Sequence, residues 1–153
     1  SLYEDQDSIL WIGTDIGGLN KFDRKHNKFT HFKHNPTNPN SISGNRILAI
    51  VEDHTGDLWI AAMGGGLNRF NKKTNKFTHY QHDIKNPHSL SNNKVVSIFI
   101  DKSKTIWVGT KGGGLNKFIR KSNNFNRYQN NPDYDNYQDY PTYHTYICKQ
   151  IHF

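Results

Sequence analysis

The chain has 153 residues, of which 33% are hydrophobic, 13% aromatic and 22% charged, and a formal net charge of +7 at pH 7. A mean hydropathy of -0.88 is lean for one self-contained core, and no apolar run approaches the roughly eighteen residues of a membrane-spanning helix, so no membrane segment is expected in this chain. The single cysteine, Cys148, excludes an internal disulfide and a cysteine-built zinc site, and the 20 Lys and Arg are spread along the chain instead of massed on one segment, so no nucleic-acid partner is expected.

From the N-terminal side, no charged-then-apolar leader precedes the first strand, so no signal peptide is read in this chain, and Ser1 to Asp5 look like the remnant of an inner strand. The start therefore reads as internal to a longer protein. Leu10-Trp11-Ile12 follows, then Gly17-Gly18, Leu19-Asn20, Phe22 and Phe29. The same residues return as Leu58-Trp59-Ile60, Gly65-Gly66, Leu67-Asn68, Phe70 and Phe77, and again as Ile106-Trp107-Val108, Gly113-Gly114, Leu115-Asn116, Phe118 and Phe125. The tryptophans keep a constant spacing of 48 residues (59 − 11 = 107 − 59). A period of that length, held by aromatics and glycines, marks stacked units that cannot fold singly.

The second unit is complete. Ile47 to Val51 is a short run rich in β-branched residues, ended by the turn Asp53 to Gly56, and Leu58 to Ala61 is a second such run. Met63-Gly64-Gly65-Gly66 breaks the chain, Leu67 to Phe70 alternates apolar and polar, Asn75 suits a left-handed turn position, and Phe77 to Tyr80 closes the unit. Four antiparallel strands, the first two apolar on both sides and the last two toward water, make a propeller blade. The fold class predicted is all-β, a β-propeller fragment of about three four-stranded antiparallel blades. Residues 1–46 form an incomplete first blade plus link, 47–94 the second blade plus link, 95–130 the third blade, and 131–153 a divergent tail. The links, Asn35 to Asn45 and Asp83 to Asn93, repeat Asn-Pro-x-Ser and are expected to be ordered. Trp11, Trp59 and Trp107 are assigned to the core between blades.

The pattern stops at Asn131-Pro132. Tyr134 to Asp139 stands where a third link belongs, which leaves a divergent inner strand at 143–151, a disordered end, or a frame change or truncation as readings of the tail. Three blades do not close a ring, which takes roughly four to eight, so the remaining blades of a parent protein or self-association through the open end blades are the expected partners.

Candidate chemistry is sparse. No catalytic triad, phosphate loop or metal spacing occurs, so no catalytic residue, metal or cofactor is assigned. His31 and His79 recur, as do His34 and His82, and read as polar strand-edge residues. Asp5, Asp53 and Asp101 suit the inner turn ahead of a calcium role. The basic pairs Arg24-Lys25, Lys72-Lys73 and Arg120-Lys121 read as keeping an outer edge soluble, with an anion-attracting stripe as the alternative. For binding, propeller topology places Asn45, Arg46, Asn93 and Lys94, at the start of the inner strands, beside Thr14, Asp15, Thr110 and Lys111 in the loops from second to third strand. Amide, hydroxyl and charged groups on a rigid rim suit a polyhydroxylated ligand, while Asn45 and Asn93 equally suit a capping role in the links.

The order inner strand, Asp, short turn, Leu-Trp-Ile-Gly-Thr, small loop and Gly-Gly-Leu-Asn-x-Phe resembles the two-component regulator propeller repeat, over about Asp5 to Asn131. Ile50 to Ile60 matches its middle and Trp107 to Asn116 its end, while Ala61-Ala62 departs from Gly-Thr, and Ser8 and Lys104 replace the turn glycine. Kelch repeats place Trp after the paired glycines, not before. The resemblance implies part of a periplasmic or otherwise extracytoplasmic sensor region of a hybrid two-component protein, with an oligosaccharide as the possible signal. A propeller scaffold for protein contacts is the alternative, and a propeller lyase comes third.

Overall fold

The computed structural model describes residues 1–129; the readings of the tail lie outside the described residues. Three four-stranded sheets follow one another, each a meander in which every strand pairs antiparallel with the next. The first holds β1 (Leu2–Glu4), β2 (Leu10–Gly13), β3 (Leu19–Asp23) and β4 (Lys28–Phe32). The second holds β5 (Ile47–Glu52), β6 (Leu58–Ala62), β7 (Gly66–Asn71) and β8 (Lys76–Tyr80). The third holds β9 (Val95–Ile100), β10 (Ile106–Thr110), β11 (Gly114–Ile119) and β12 (Asn124–Tyr128). The described residues are all-β and built as propeller blades, and β1, with 3 residues against 6 in β5 and β9, is the shortened inner strand.

Each inner hairpin turns on an aspartate. Asp53 Oδ1 accepts the backbone N–H of Thr55 at 2.8 Å and of Asp57 at 3.3 Å, while its Oδ2 accepts the Trp59 indole N–H at 2.9 Å. Asp5 and Asp101 hold Trp11 and Trp107 in the same way, at 2.8 and 2.9 Å. One carboxylate thus closes the turn and fixes the ring beside it, so the recurring Asp and Trp are a single device. The second glycine of each pair has its own cause. At Gly66 the backbone is left-handed (φ 86°) and a Cβ would stand 2.4 Å from the Tyr80 carbonyl oxygen, an approach closed to any other residue.

The core lies in two seams. At the first, Trp11 and Phe32 of the first blade meet Phe70 and Phe77 of the second, with ring centroids 5.2 to 5.8 Å apart across the seam. At the second, Trp59 and Tyr80 meet Phe118 and Phe125, at 4.8 to 5.6 Å. The positions are the same after one repeat step. Each link adds an anchor: Ile42 and Leu90, both 0% exposed, are inserted into the first and second seam respectively. Asn68 and Asn116, both buried, bind Ser43 and Ser91 through both ends of their amides, at 2.8 to 2.9 Å. The links are therefore ordered by specific bonds.

Three expectations are corrected. Burial does not fall from the inner to the outer strands: β6 is buried throughout and β7 nearly so, whereas β5 is only partly covered. A middle strand has neighbours on both edges and both faces, and β5 is an edge strand. The basic outer hairpins are not simply a soluble rim, because Lys72 crosses the first seam to Asp5 Oδ2 at 3.0 Å and Arg120 crosses the second to Asp53 Oδ2 at 3.0 Å. His79 is no free strand-edge residue either; its Nε2–H donates to the Ser41 carbonyl at 2.7 Å, and Arg127, one repeat on, donates to the Ser89 carbonyl at 2.8 Å. His34 and His82 likewise donate from Nδ1 to the carbonyls of Ile42 and Leu90, at 2.9 and 2.8 Å.

Candidate functional site

The residues at the start of β5 and β9 bridge blades. Asn45 accepts the Gly18 N–H of the first blade on its carbonyl at 2.9 Å, and Arg46 accepts the Met63 N–H of the second at 2.8 Å. Ile47 N–H donates to the Thr14 carbonyl at 2.8 Å, so Asn45 and Arg46 lie against Thr14 and Asp15, and Arg46 Nε pairs with Asp15 Oδ1 at 2.6 Å. One repeat on, Asn93 accepts the N–H groups of Gly64 and Gly66, both at 3.0 Å, and Lys94 accepts that of Lys111 at 2.8 Å. The structure thus brings the eight sequence-derived residues together as two neighbouring groups along one rim.

Their side chains divide into two kinds. The amide oxygens of Asn45 and Asn93 accept the backbone N–H of His34 and His82 at 2.8 and 2.6 Å, which ties the end of each link back to its start. The Thr14 hydroxyl donates to the Gly18 carbonyl, and the Thr110 hydroxyl, 6% exposed, bonds Ser91 Oγ and the Gly114 carbonyl. Asp15, Arg46, Lys94 and Lys111 are exposed. Met63, between the two groups, was not foreseen; it forms the bridge to Lys94, and its position corresponds to Asp15 and Lys111. The 48-residue step from Asp15 and Lys111 points to this position, but the thioether lacks the polar group by which the rim residues were chosen.

The inner turns carry the strongest electrostatics. Burial pushes the Asp53 carboxyl up, but hydrogen bonds from Thr55, Trp59 and Arg120 outweigh it and hold the group far below the usual carboxylate range. Asp5 is lowered in the same balance, with burial opposed by Trp11 and Lys72. Lys72 is raised far above an ordinary lysine because Glu52, Asp7 and Asp5 surround its ammonium more effectively than burial disfavours it. Among the described residues no group of three or more His, Cys, Asp or Glu is arranged to hold a metal ion.

Comparison with known proteins turns on the linking and hairpin segments just described. The model of the two component regulator propeller family matches residues 41–64 and 89–112, which are the end of each link, the inner strand, its turn and the Trp strand. Those two segments are similar to the two-component regulator propeller repeat. Among solved structures, the extracellular domain of a hybrid two component system from B. thetaiotaomicron is similar at 29% identity and TM-score 0.76 over 87% of this chain. That of a second hybrid two component system from B. thetaiotaomicron is similar at 26% identity and TM-score 0.66 over 82%. This chain spans 18% of each of those two. Streptogramin B lyase, at 20% identity and TM-score 0.59 over 85% of this chain and 40% of its own, shares the fold. No curated protein matches the chain.

Proposed function

We propose that these regulator propeller blades belong to an extracytoplasmic sensing propeller of a two-component signalling protein and that the rim around Arg46 and Lys94 contacts a carbohydrate signal. The observation that carries the sensor reading is the similarity, over 87% of the chain, to an extracellular domain of a hybrid two component system. The carbohydrate reading rests on chemistry: a carboxylate, a guanidinium and two ammonium groups at fixed places on a rigid rim offer directional hydrogen bonds to hydroxyl-rich ligands. The sensor role is not enzymatic, and the rim offers no paired general acid and base. A glycan array probed with the propeller that contains these blades tests the reading. Binding of specific oligosaccharides, weakened at least tenfold by Arg46→Gln or Asp15→Asn, is the expected result.

A second reading, a scaffold for protein contacts, draws on Ile16, 84% exposed in the loop after β2, and Ile84, 88% exposed in the second link. Capture of a defined protein partner, lost on Ile16→Ser or Ile84→Ser and accompanied by a blank glycan array, would favour it.

A further inference from the structure

The rim is not electrostatically uniform along its length. Asp15, Arg46, Met63, Lys94 and Lys111 follow one another along it from blade to blade. Arg46 stands between Asp15, its ion-pair partner at 2.6 Å, and Met63, whose N–H its carbonyl accepts at 2.8 Å. Lys94 holds the same place one repeat later, between Met63, its antiparallel bridge partner, and Lys111, whose N–H its carbonyl accepts at 2.8 Å. Asp15, Met63 and Lys111 are equivalent positions, so one site in the repeat changes from carboxylate to thioether to ammonium. Charge is matched where the first blade meets the second and unmatched toward the third: among the described residues neither Lys94 nor Lys111 forms an ion pair.

Backbone pairing makes the two lysines neighbours. Val95 and Thr110 are partners in the β9–β10 ladder, and Lys94 and Lys111 are the next residues outward, so they face one another across it. Directly opposed residues leave the same side of a sheet with Cβ atoms about 5 Å apart, and like charges placed so repel. Both lysines are exposed. The second link adds a donor beside them, because Gly44 becomes Asn92 one repeat on. Asn92 Oδ1 accepts the Lys94 N–H at 2.9 Å, which leaves Nδ2 to donate, and Asn92 Cβ lies 2.9 Å from where a side chain on Gly113 would begin, against the loop that Lys111 opens. Where the first blade supplies a carboxylate for its rim cation, the third supplies two cations and an amide.

We infer that the Lys94–Lys111 end of the rim selects an acidic saccharide, whose uronate carboxylate lies between the two ammonium groups while the C–H face of its ring rests on Met63. A carboxylate is the group the chain itself sets against Arg46, and one that bridges both lysines relieves their repulsion and accepts charge-assisted hydrogen bonds from each. Met63 is the apolar member of the row, half-buried and paired with Lys94, so an anion that also carries a C–H surface fits better than a bare ion. The inference rests on the carbohydrate reading of the rim and narrows it from hydroxyl-rich ligands to uronate-containing ones.

The test is a glycan array, read with the full chain, that carries uronate oligosaccharides beside their carboxyl-reduced counterparts of the same length and linkage, and sulfated neutral oligosaccharides. At least tenfold stronger binding of a uronate oligosaccharide than of its carboxyl-reduced counterpart is expected. Lys94→Gln and Lys111→Asp, the second restoring the carboxylate found at Asp15, should each weaken uronate binding at least tenfold and leave binding of the counterpart unchanged. Lys73→Gln, on the hairpin at the other end of the second blade, should alter neither. Circular dichroism and the melting temperature confirm that each variant is folded. Equal binding of the paired oligosaccharides, or a preference for the sulfated ones, would overturn the inference and leave the carbohydrate reading standing, whereas a blank array would remove both. A uronate preference that survives Lys94→Gln and Lys111→Asp would also overturn it.

Discussion

Arg120 of the third blade places Nη2 3.0 Å from Asp53 Oδ2 of the second, on the same oxygen that accepts the Trp59 indole N–H at 2.9 Å. A single carboxylate thereby joins its own turn, its own tryptophan and the neighbouring blade. Lys72, Asp5 and Trp11 repeat the arrangement one seam earlier, at 3.0 and 2.8 Å. Electrostatic registration and aromatic packing are therefore coupled at each seam, and loss of either side should be felt by the other.

Removing the cation tests that coupling. Arg120→Met leaves Asp53 buried with its turn and indole bonds but without its counter-charge, and is expected to cost about 1 to 3 kcal/mol in urea unfolding. The same change at Lys121, exposed beside it, should cost less than about 0.5 kcal/mol. Equal effects would show that the seam pair is of no consequence.

Stability should be bounded by pH on both sides. Asp5, Asp53 and Asp101 have folded values below the unfolded carboxylate value of about 3.9, so their contribution is present above that value and is lost as pH falls through the lowered folded ones. Lys72 is raised above the unfolded lysine value of about 10.4, so its contribution is full below that pH and is lost as pH rises through the folded value. Melting temperature measured against pH should show a plateau between roughly 4 and 10, with the acid limb shallower in Asp53→Asn.

Equivalent phenylalanines should differ by blade. Phe77 is 8% exposed in the first seam, whereas Phe29, one repeat earlier, is 50% exposed and stacks on Phe22 at 4.4 Å. Phe77→Ala is expected to cost about 3 to 5 kcal/mol and Phe29→Ala about 1 kcal/mol or less, measured by denaturant unfolding.

Seams, turns and blade number were legible in the sequence because Trp, Phe, Gly and Asp each answer a requirement that recurs in every unit. The cross-seam role of Lys72 and Arg120 was not legible. A basic residue in a polar hairpin has the same local pattern whether it points to water or to a neighbouring sheet, and only the packing of blades distinguishes the two. The rim was placed by topology, since chain connectivity alone brings Arg46 to Asp15. What Asn45 and Thr110 do there depended on bonds to backbone atoms, which leave no mark on composition.

Backbone strain offers a gain in stability. Lys104 adopts φ 64° where the second blade has Gly56 at φ 83°, so Lys104→Gly is expected to stabilise by about 0.5 to 1 kcal/mol. Gly66→Ala should do the opposite, by more than about 2 kcal/mol, because it adds a Cβ at 2.4 Å from the Tyr80 carbonyl to a left-handed residue. Melting temperatures of the two variants check both signs.

The end blades predict self-association of this chain. Leu2 and Phe29 are 66% and 50% exposed on the first blade, and Tyr128 and Phe99 are 49% and 40% exposed on the third, where Trp107 packs on Tyr128 at 5.9 Å. The first blade offers the Phe half of a seam and Arg24, the third the Trp half and Asp101, so copies should meet head to tail. Light scattering should give a mass that rises with concentration, reduced in Arg24→Asp and recovered when Asp101→Arg is added; a monomer at all concentrations would contradict this.

The most direct measurement of the seam architecture is hydrogen exchange of the three indole N–H groups by ¹⁵N-resolved NMR, at a concentration where light scattering reports a single copy. Trp11 and Trp59, 1% and 0% exposed and bonded to buried Asp5 and Asp53, should exchange slowly, and Trp107, bonded to the more open Asp101 beyond any described seam, should exchange first. Three indoles exchanging together at the rate of free tryptophan, or Trp59 exchanging ahead of Trp107, would contradict the account.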